Sequence, residues 1–192
     1  MASRAVAAFA ASVDYSAAMN NETYLRPVTA ADLEILDVLY NGGPEAASEY
    51  GWFGWSDPAG LRRRWEDNGL LGPDSGNLIV ASGLEVAGHV SWHRNQQGPL
   101  NHSWNIGIGL LADARGRGIG TRAQALLVRH LFAHTMVNRV DANTDVTNIA
   151  EQRSLEKAGF TRDGVLRGAQ FRDGGYHDMV VYSVLRHEVI PG

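Results

Sequence analysis

The sequence predicts an α/β (α+β) fold in which about seven strands form a central sheet flanked by about four helices. Three observations carry this. Segments with two-residue alternation and segments with three-to-four-residue recurrence follow one another as strand, two helices, three strands, helix, strand, helix, two strands. One stretch, Trp104 to Phe132, reads without a break as strand, glycine loop and helix. The chain of 192 residues, 44% apolar and 20% charged, suits one packed core better than a disordered chain or a membrane span.

Residues 1–22 are alanine-rich, and a loose or helical extension is expected there, ahead of a single domain over residues 23–192. Ala8-Phe9-Ala10 is similar to a signal-cleavage site, but the apolar run before it is short and weak, so a cytoplasmic protein is expected. Thr23 to Val28 reads as the first strand, with Thr29 as the cap of a helix over Ala30 to Tyr40 that Asn41-Gly42-Gly43-Pro44 ends. Tyr50, Trp52, Phe53 and Trp55 then crowd six residues interleaved with glycine. They read either as a mobile aromatic wall over a pocket or as a loop packed on the core.

Asp57-Pro58 places a cap and a proline at the start of a helix through Asp67, which carries Arg62-Arg63-Arg64 as a solvated face. Strands are expected over Asn77 to Ser82, Glu85 to His93 and His102 to Leu111, the last pair joined by the polar turn Arg94 to Pro99. After the central helix come a strand over Arg139 to Asp145 and a helix over Asn148 to Ala158 stopped by Gly159. Two strands near Phe160 to Phe171 and Tyr176 to Arg186 close the chain.

The central stretch has the most specific chemistry. Gly107 and Gly109 in the strand mark a backbone that something approaches closely or that bulges there. Arg115-Gly116-Arg117-Gly118-Ile119-Gly120-Thr121 then exposes backbone N–H groups at a helix N-terminus beside two cations, which favours a phosphate or pyrophosphate. A Walker loop would need a lysine where Gly120-Thr121-Arg122 has none, and a dinucleotide fingerprint would need glycine at Thr121.

Composition removes other classes. A formal net charge of -4 with no long basic run argues against nucleic acid, and no segment suits a membrane. With no cysteine there is no disulfide, thiol nucleophile or zinc–thiolate site, and no metal is expected.

The spacing from Arg115 to Thr121 resembles the pyrophosphate loop of the GNAT superfamily of N-acyltransferases. A second motif, Asn148-Ile-Ala-Glu-Gln-Arg-Ser-Leu-Glu156-Lys157-Ala-Gly159-Phe160, is similar to that family's Asn-x-x-Ser-x-x-x-x-Glu-Lys-x-Gly-Phe segment, most of all in its ribosomal-protein N-terminal acetyltransferase (RimJ/RimL-like) branch. The order of elements also matches from about Tyr24 to Leu185. The resemblance implies a mixed, mostly antiparallel sheet splayed between its fourth and fifth strands. Acetyl-CoA or another acyl-CoA would be the co-substrate, its arm lying between Ile108, Gly109 and Leu110 on one side and Asn148 on the other.

The resemblance further implies an amine acceptor, a small molecule or peptide, held by Trp52, Phe53, Trp55, Trp104, Asp145 and Phe171. An acyl-phosphopantetheine on a carrier protein is an alternative donor, ribosomal-protein acetylation an alternative task, and a monomer or homodimer the expected assembly. Trp104, Asn143 and Leu155 occupy positions where related enzymes often carry their base or acid. Proton transfer therefore falls to other candidates, namely Glu151 near the sulfur and His93 as an imidazole base, with Asn143 as a polar neighbour. A catalytically silent coenzyme-A-binding module is the reading from a different class.

Overall fold

Residues 22–189 are described in a computed structural model, so the expected alanine-rich extension, but for Glu22, lies outside the described residues. Seven strands form one sheet: β1 (Thr23–Pro27), β2 (Ser75–Ser82), β3 (Glu85–Gln96), β4 (His102–Leu110), β5 (Arg139–Asp145), β6 (Thr161–Arg172) and β7 (Gly175–Leu185). Their order is β1-β2-β3-β4-β5-β7-β6, and only β4 and β5 run parallel. The helices are α1 (Leu33–Asn41), α2 (Gly43–Ala47), α3 (Pro58–Asn68), α4 (Ile119–His134), α5 (Ile149–Lys157) and α6 (Arg186–Val189). Two of these, α2 and α6, are short additions to the four that the periodicity indicated. The segment read as a helix stop does end α1 at Asn41, and it also starts a new helix, with Pro44 in the first turn of α2, where a proline's missing N–H costs nothing.

Alternation along the strands divides the side chains between two layers. Val80, Val90, Trp104, Ile106, Val140, Ala142, Val180 and Tyr182 pack with Ala123, Leu127, Leu131 and Phe132 of α4 and Leu155 of α5. On the other face Ile79 joins Val28, Leu33, Leu36, Leu61 and Leu70 beneath α1 and α3. Ser91 of β3, Asn105 of β4 and Asp141 and Asp145 of β5 stand at the alternate positions and therefore look toward the α1–α3 layer.

One feature of the sheet matters most for a ligand. β4 pairs with β5 only at Trp104↔Val140, Asn105↔Asp141 and Ile106↔Ala142, and from Gly107 onward the two strands part. β4 stays paired to β3 throughout, as far as Gly88↔Leu110. The stretch from Gly107 to Leu110 thus keeps one neighbour and presents its other edge to a gap.

Candidate active site

The loop after β4 is shaped by two glycines in the left-handed region, Gly116 (φ 71°) and Gly118 (φ 73°), a conformation costly for other residues. Gly118 is the N-cap of α4, so the N–H groups of Ile119, Gly120 and Thr121 form a first turn with no carbonyl behind it. The two arginines differ in use. Arg115 donates Nε to the Leu110 carbonyl at 3.0 Å and Nη2 to the Ala46 carbonyl at 2.6 Å, so it is a strut tying α2 to the end of β4. The exposed Arg117 side chain makes, among the described residues, only a 3.5 Å contact to the Asp113 carbonyl, which leaves it the more available of the two cations. Of the two arginines expected at a phosphate, Arg117 is therefore the one whose guanidinium is less engaged by the protein.

Both β4 glycines accommodate side chains of β3. A Cβ on Gly109 would lie 2.7 Å from His89 Nε2, and one on Gly107 would lie 3.2 Å from Ser91 Oγ. His89 was not singled out from sequence, although its two-residue spacing from Ser91 and His93 puts all three on one face. It is buried, with Nδ1 3.1 Å from Asn77 Oδ1, while Asn77 Nδ2 donates to the Tyr40 hydroxyl at 2.7 Å. An amide oxygen only accepts, so Nδ1 carries the proton and Nε2 keeps its lone pair. Burial lowers this imidazole to about 4, so it is neutral at physiological pH.

Across the gap stands α5. Asn148 Oδ1 accepts the Glu151 N–H at 3.2 Å and caps the helix, leaving its Nδ2 without a hydrogen-bond partner among the described residues. One turn on, Glu151 accepts a hydrogen bond from Gln124 Nε2, Gln124 Oε1 accepts from Ser154 Oγ at 3.1 Å, and Ser154 lies 3.1 Å from Thr121 Oγ1. A polar chain therefore links Glu151 to the first turn of α4. A Cβ on Gly120 would contact Leu110 Cδ1, Ile108 Cδ1 and Ser154 Oγ at 3.4 to 3.6 Å, which places that chain behind the free half of β4. Burial raises Glu151 to about 7, against the smaller pull of the Gln124 hydrogen bond.

The remaining candidates separate. Trp104 is 5% exposed, packed in the α4 layer with Nε1 3.2 Å from Thr135 Oγ1, so it cannot wall an acceptor site. Asp145 is 2% exposed and bound to Arg172 Nη2 at 2.6 Å and to the Thr147 N–H and hydroxyl. Burial alone would push its carboxyl up, but the Thr147 bonds and the Arg172 charge hold it at about 2. It is already neutralised and cannot orient a cationic amine. Both corrections have one cause, since the pleat fixes a residue's face but not the partners waiting there.

Asn143 is exposed on β5 beyond its last pair with β4, at the gap. His93 is exposed on β3 opposite Asn105, and Phe171 packs edge-on against Tyr176 near the tip of the β6–β7 hairpin. The aromatic segment bridges the two sides. It follows α2, which Arg115 anchors, and its Tyr50 hydroxyl lies 3.5 Å from the Thr147 carbonyl with the Arg172 guanidinium 5.6 Å from the ring centre. Trp52 and Trp55 meet edge to face at 5.9 Å, Trp55 and Phe53 are exposed, and Trp52 Nε1 is buried with no hydrogen-bond partner among the described residues.

Residues 22–161 match the family model for an acetyltransferase (GNAT) domain. The chain is 32% identical over 127 residues to a Bacillus subtilis (strain 168) protein named "Putative ribosomal N-acetyltransferase YdaF", the match spanning 66% of each chain, just under two thirds. Its fold is similar to that of spermidine N-acetyltransferase from Vibrio cholerae, solved with CoA and spermine (TM-score 0.73, 16% identity, 87% of this chain and 97% of that one). RimL, a ribosomal L7/L12 alpha-N-protein acetyltransferase solved with coenzyme A, is alike to the same degree (TM-score 0.70, 22% identity, 85% and 93% covered). At these identities the last two likenesses concern the fold.

Proposed function

The chain belongs to the GNAT acetyltransferase family and resembles its RimJ/RimL-like branch, and from that premise we propose that it transfers an acetyl group from acetyl-CoA to a primary α-amine of a peptide or small molecule. The observation that carries this reading is the parting of β4 from β5 after Ile106, directly ahead of the glycine loop and facing Asn148. Arg117 and the N–H groups of Ile119 to Thr121 suit a pyrophosphate, and Asn148 Nδ2 with the free edge of residues 107–110 suits the amide-bearing arm. Two neighbours in fold were solved with CoA, which supports the same donor.

In the transfer, the amine nitrogen forms a bond to the thioester carbonyl carbon and the carbon–sulfur bond breaks. The amine loses a proton and the departing thiolate gains one. A backbone N–H in the free stretch of β4 near Leu110 is placed to stabilise the oxyanion. Glu151, raised to about 7, is half protonated at neutral pH and serves as the acid for the thiolate. No unpaired carboxylate faces the gap from β4 or β5 among the described residues, because Asp141 is held by Ser103 and Arg139 and Asp145 by Arg172. An α-amine near pKa 8 is partly neutral without a strong base, whereas a lysine amine near 10.4 is not, so the α-amine is the favoured nucleophile.

The test is a melting curve with and without saturating acetyl-CoA, followed by thiol release across amines and N-terminal peptides. A ligand at about 100 times its Kd adds roughly 2.7 kcal/mol, a rise of about 5 to 10 °C for a chain of this size. Thiol release with α-amines is expected. A thermal shift without release from any amine would instead identify a silent CoA-binding module, and turnover confined to a carrier-bound acyl group would identify a carrier-protein donor.

A further inference from the structure

A cavity of about 220 Å³ lies on the α1–α3 face, lined by Tyr40, Arg64, Asn77, Ser91 and His93. No aspartate or glutamate lines it. Arg64 and Asn68 sit one helical turn apart on α3 at its rim, and among the described residues Arg64 has no carboxylate partner within 4.0 Å, unlike Arg63, which is paired with Asp57. The neighbouring Asp74 is taken by Arg94. Tyr40 and Asn77 are hydrogen-bonded to each other, and Asn77 to His89, so this wall is fixed before any ligand arrives.

The cavity also reaches toward the chemistry. Ser91 lines it and at the same time stands over Gly107, the first β4 residue beyond the pairing with β5. His93 lines it and is registered opposite Asn105, the middle residue of the three that pair. One strand separates this wall from the gap, and neighbouring strands lie about 4.8 Å apart, so a group in the cavity is roughly 10 Å from an amine in the gap. Extended chain covers that in about three residues at about 3.4 Å each. At its size the cavity suits one end of a ligand rather than the whole of it.

We propose that this cavity is the acceptor's carboxylate subsite, with Arg64 as counter-ion and Tyr40, Asn77 and Ser91 as its hydrogen-bonding wall. The substrates are then primary α-amines that carry a carboxylate two to three residues away, from either a C-terminus or an acidic side chain. The inference rests on the acetyltransferase reading and adds the substrate class. A guanidinium and neutral donors without an acid nearby select an anion and exclude polyamines, whose second cation would meet Arg64.

The experiment is steady-state thiol release from acetyl-CoA with four tripeptides and spermidine. The tripeptides are trialanine, its C-terminal amide, and C-terminal amides with glutamate or glutamine at the second position. Wild type is expected to favour each carboxylate over its amide by about tenfold or more in kcat/KM, the two pairs distinguishing a terminal from a side-chain carboxylate. Arg64→Gln is expected to raise KM for the carboxylates about tenfold with kcat and the amides unchanged, Arg64→Lys to recover part of it, and Arg62→Gln, outside the cavity, to change nothing.

Equal use of acid and amide, spermidine as the best acceptor, or an Arg64→Gln loss shared by both members of a pair would each overturn the subsite. If no amine releases thiol, the transferase reading fails, and calorimetric titration of trialanine and its amide into the acetyl-CoA-loaded protein decides the subsite alone. Binding of the acid that Arg64→Gln abolishes upholds it, and no binding of either overturns it.

Discussion

Glu151 is a carboxyl group held between two helices by one amide, Gln124, with Ser154 and Thr121 completing the chain to the glycine loop. If it delivers the proton to sulfur, Glu151→Gln should keep the fold and the KM for acetyl-CoA while lowering kcat by about a hundredfold, the usual scale for a positioned acid. The wild-type rate should also fall as pH rises through about 7, where the group loses its proton, and the variant should lack that limb. A variant with unchanged kcat and pH profile would leave Glu151 a structural residue. The two loop arginines separate in the same way. Arg117→Ala should weaken acetyl-CoA about tenfold with little change in melting temperature, since the 3.5 Å contact of its side chain to the Asp113 carbonyl is long. Arg115→Ala should lower the melting temperature as well, because two carbonyls lose their donor.

At the scale of elements, β3 and β4 are fitted to each other by an imidazole over a glycine. Gly109→Ala puts a methyl group 2.7 Å from His89 Nε2 in a buried, hydrogen-bonded network, so a loss of about 1 to 3 kcal/mol is expected in denaturant unfolding. The double variant His89→Ala, Gly109→Ala should lose less than the sum of the singles, because the first change empties the space that the second fills. Strict additivity would mean the two strands are not packed in this way. The aromatic segment is an element of the same kind, tethered through α2 to the loop on one side and through Tyr50 to β5 and Arg172 on the other.

For the whole molecule, two buried titrations of opposite sign sit on opposite faces of the sheet. His89 falls from 6.5 to about 4, so the unfolded chain binds its proton more readily and the stability it contributes above 6.5 is lost as pH drops toward 4. Glu151 rises from 4.5 to about 7, so the folded chain binds its proton more readily and a penalty present above 7 disappears as pH drops toward 4.5. Each spans about 3 kcal/mol at roughly 1.4 kcal/mol per unit, and between about pH 4.5 and 6.5 they largely cancel. Glu151→Gln should therefore be more stable than wild type at pH 8 and should lose stability more steeply than wild type below pH 6.5. Melting temperatures across pH 4.5 to 8 check this, and parallel curves for the two proteins would refute it.

Much of this was legible from local pattern. The strand over Arg139–Asp145 was bounded to the residue, and the glycine loop and the helix stop at Gly159 follow from backbone requirements that only a few residue types meet, whereas the N-cap role of Asn148 came from the structure. Gly107 and Gly109 announced a close approach, and the structure supplies the approaching groups, Ser91 and His89. What was not legible depends on residues distant in the chain. Trp104 and Asp145 have the chemistry of a binding site but are satisfied by Thr135 and by Arg172, 31 and 27 positions away. That Arg115 also ties the loop to Ala46, 69 positions earlier, could not be read from its spacing. Residue type and spacing determined the elements, the loop and the candidate chemistry of this protein, because those are short-range matters of backbone sterics and periodicity. Tertiary structure alone decided which polar groups remain free, because a buried group is neutralised by whatever the sheet order β1-β2-β3-β4-β5-β7-β6 brings beside it.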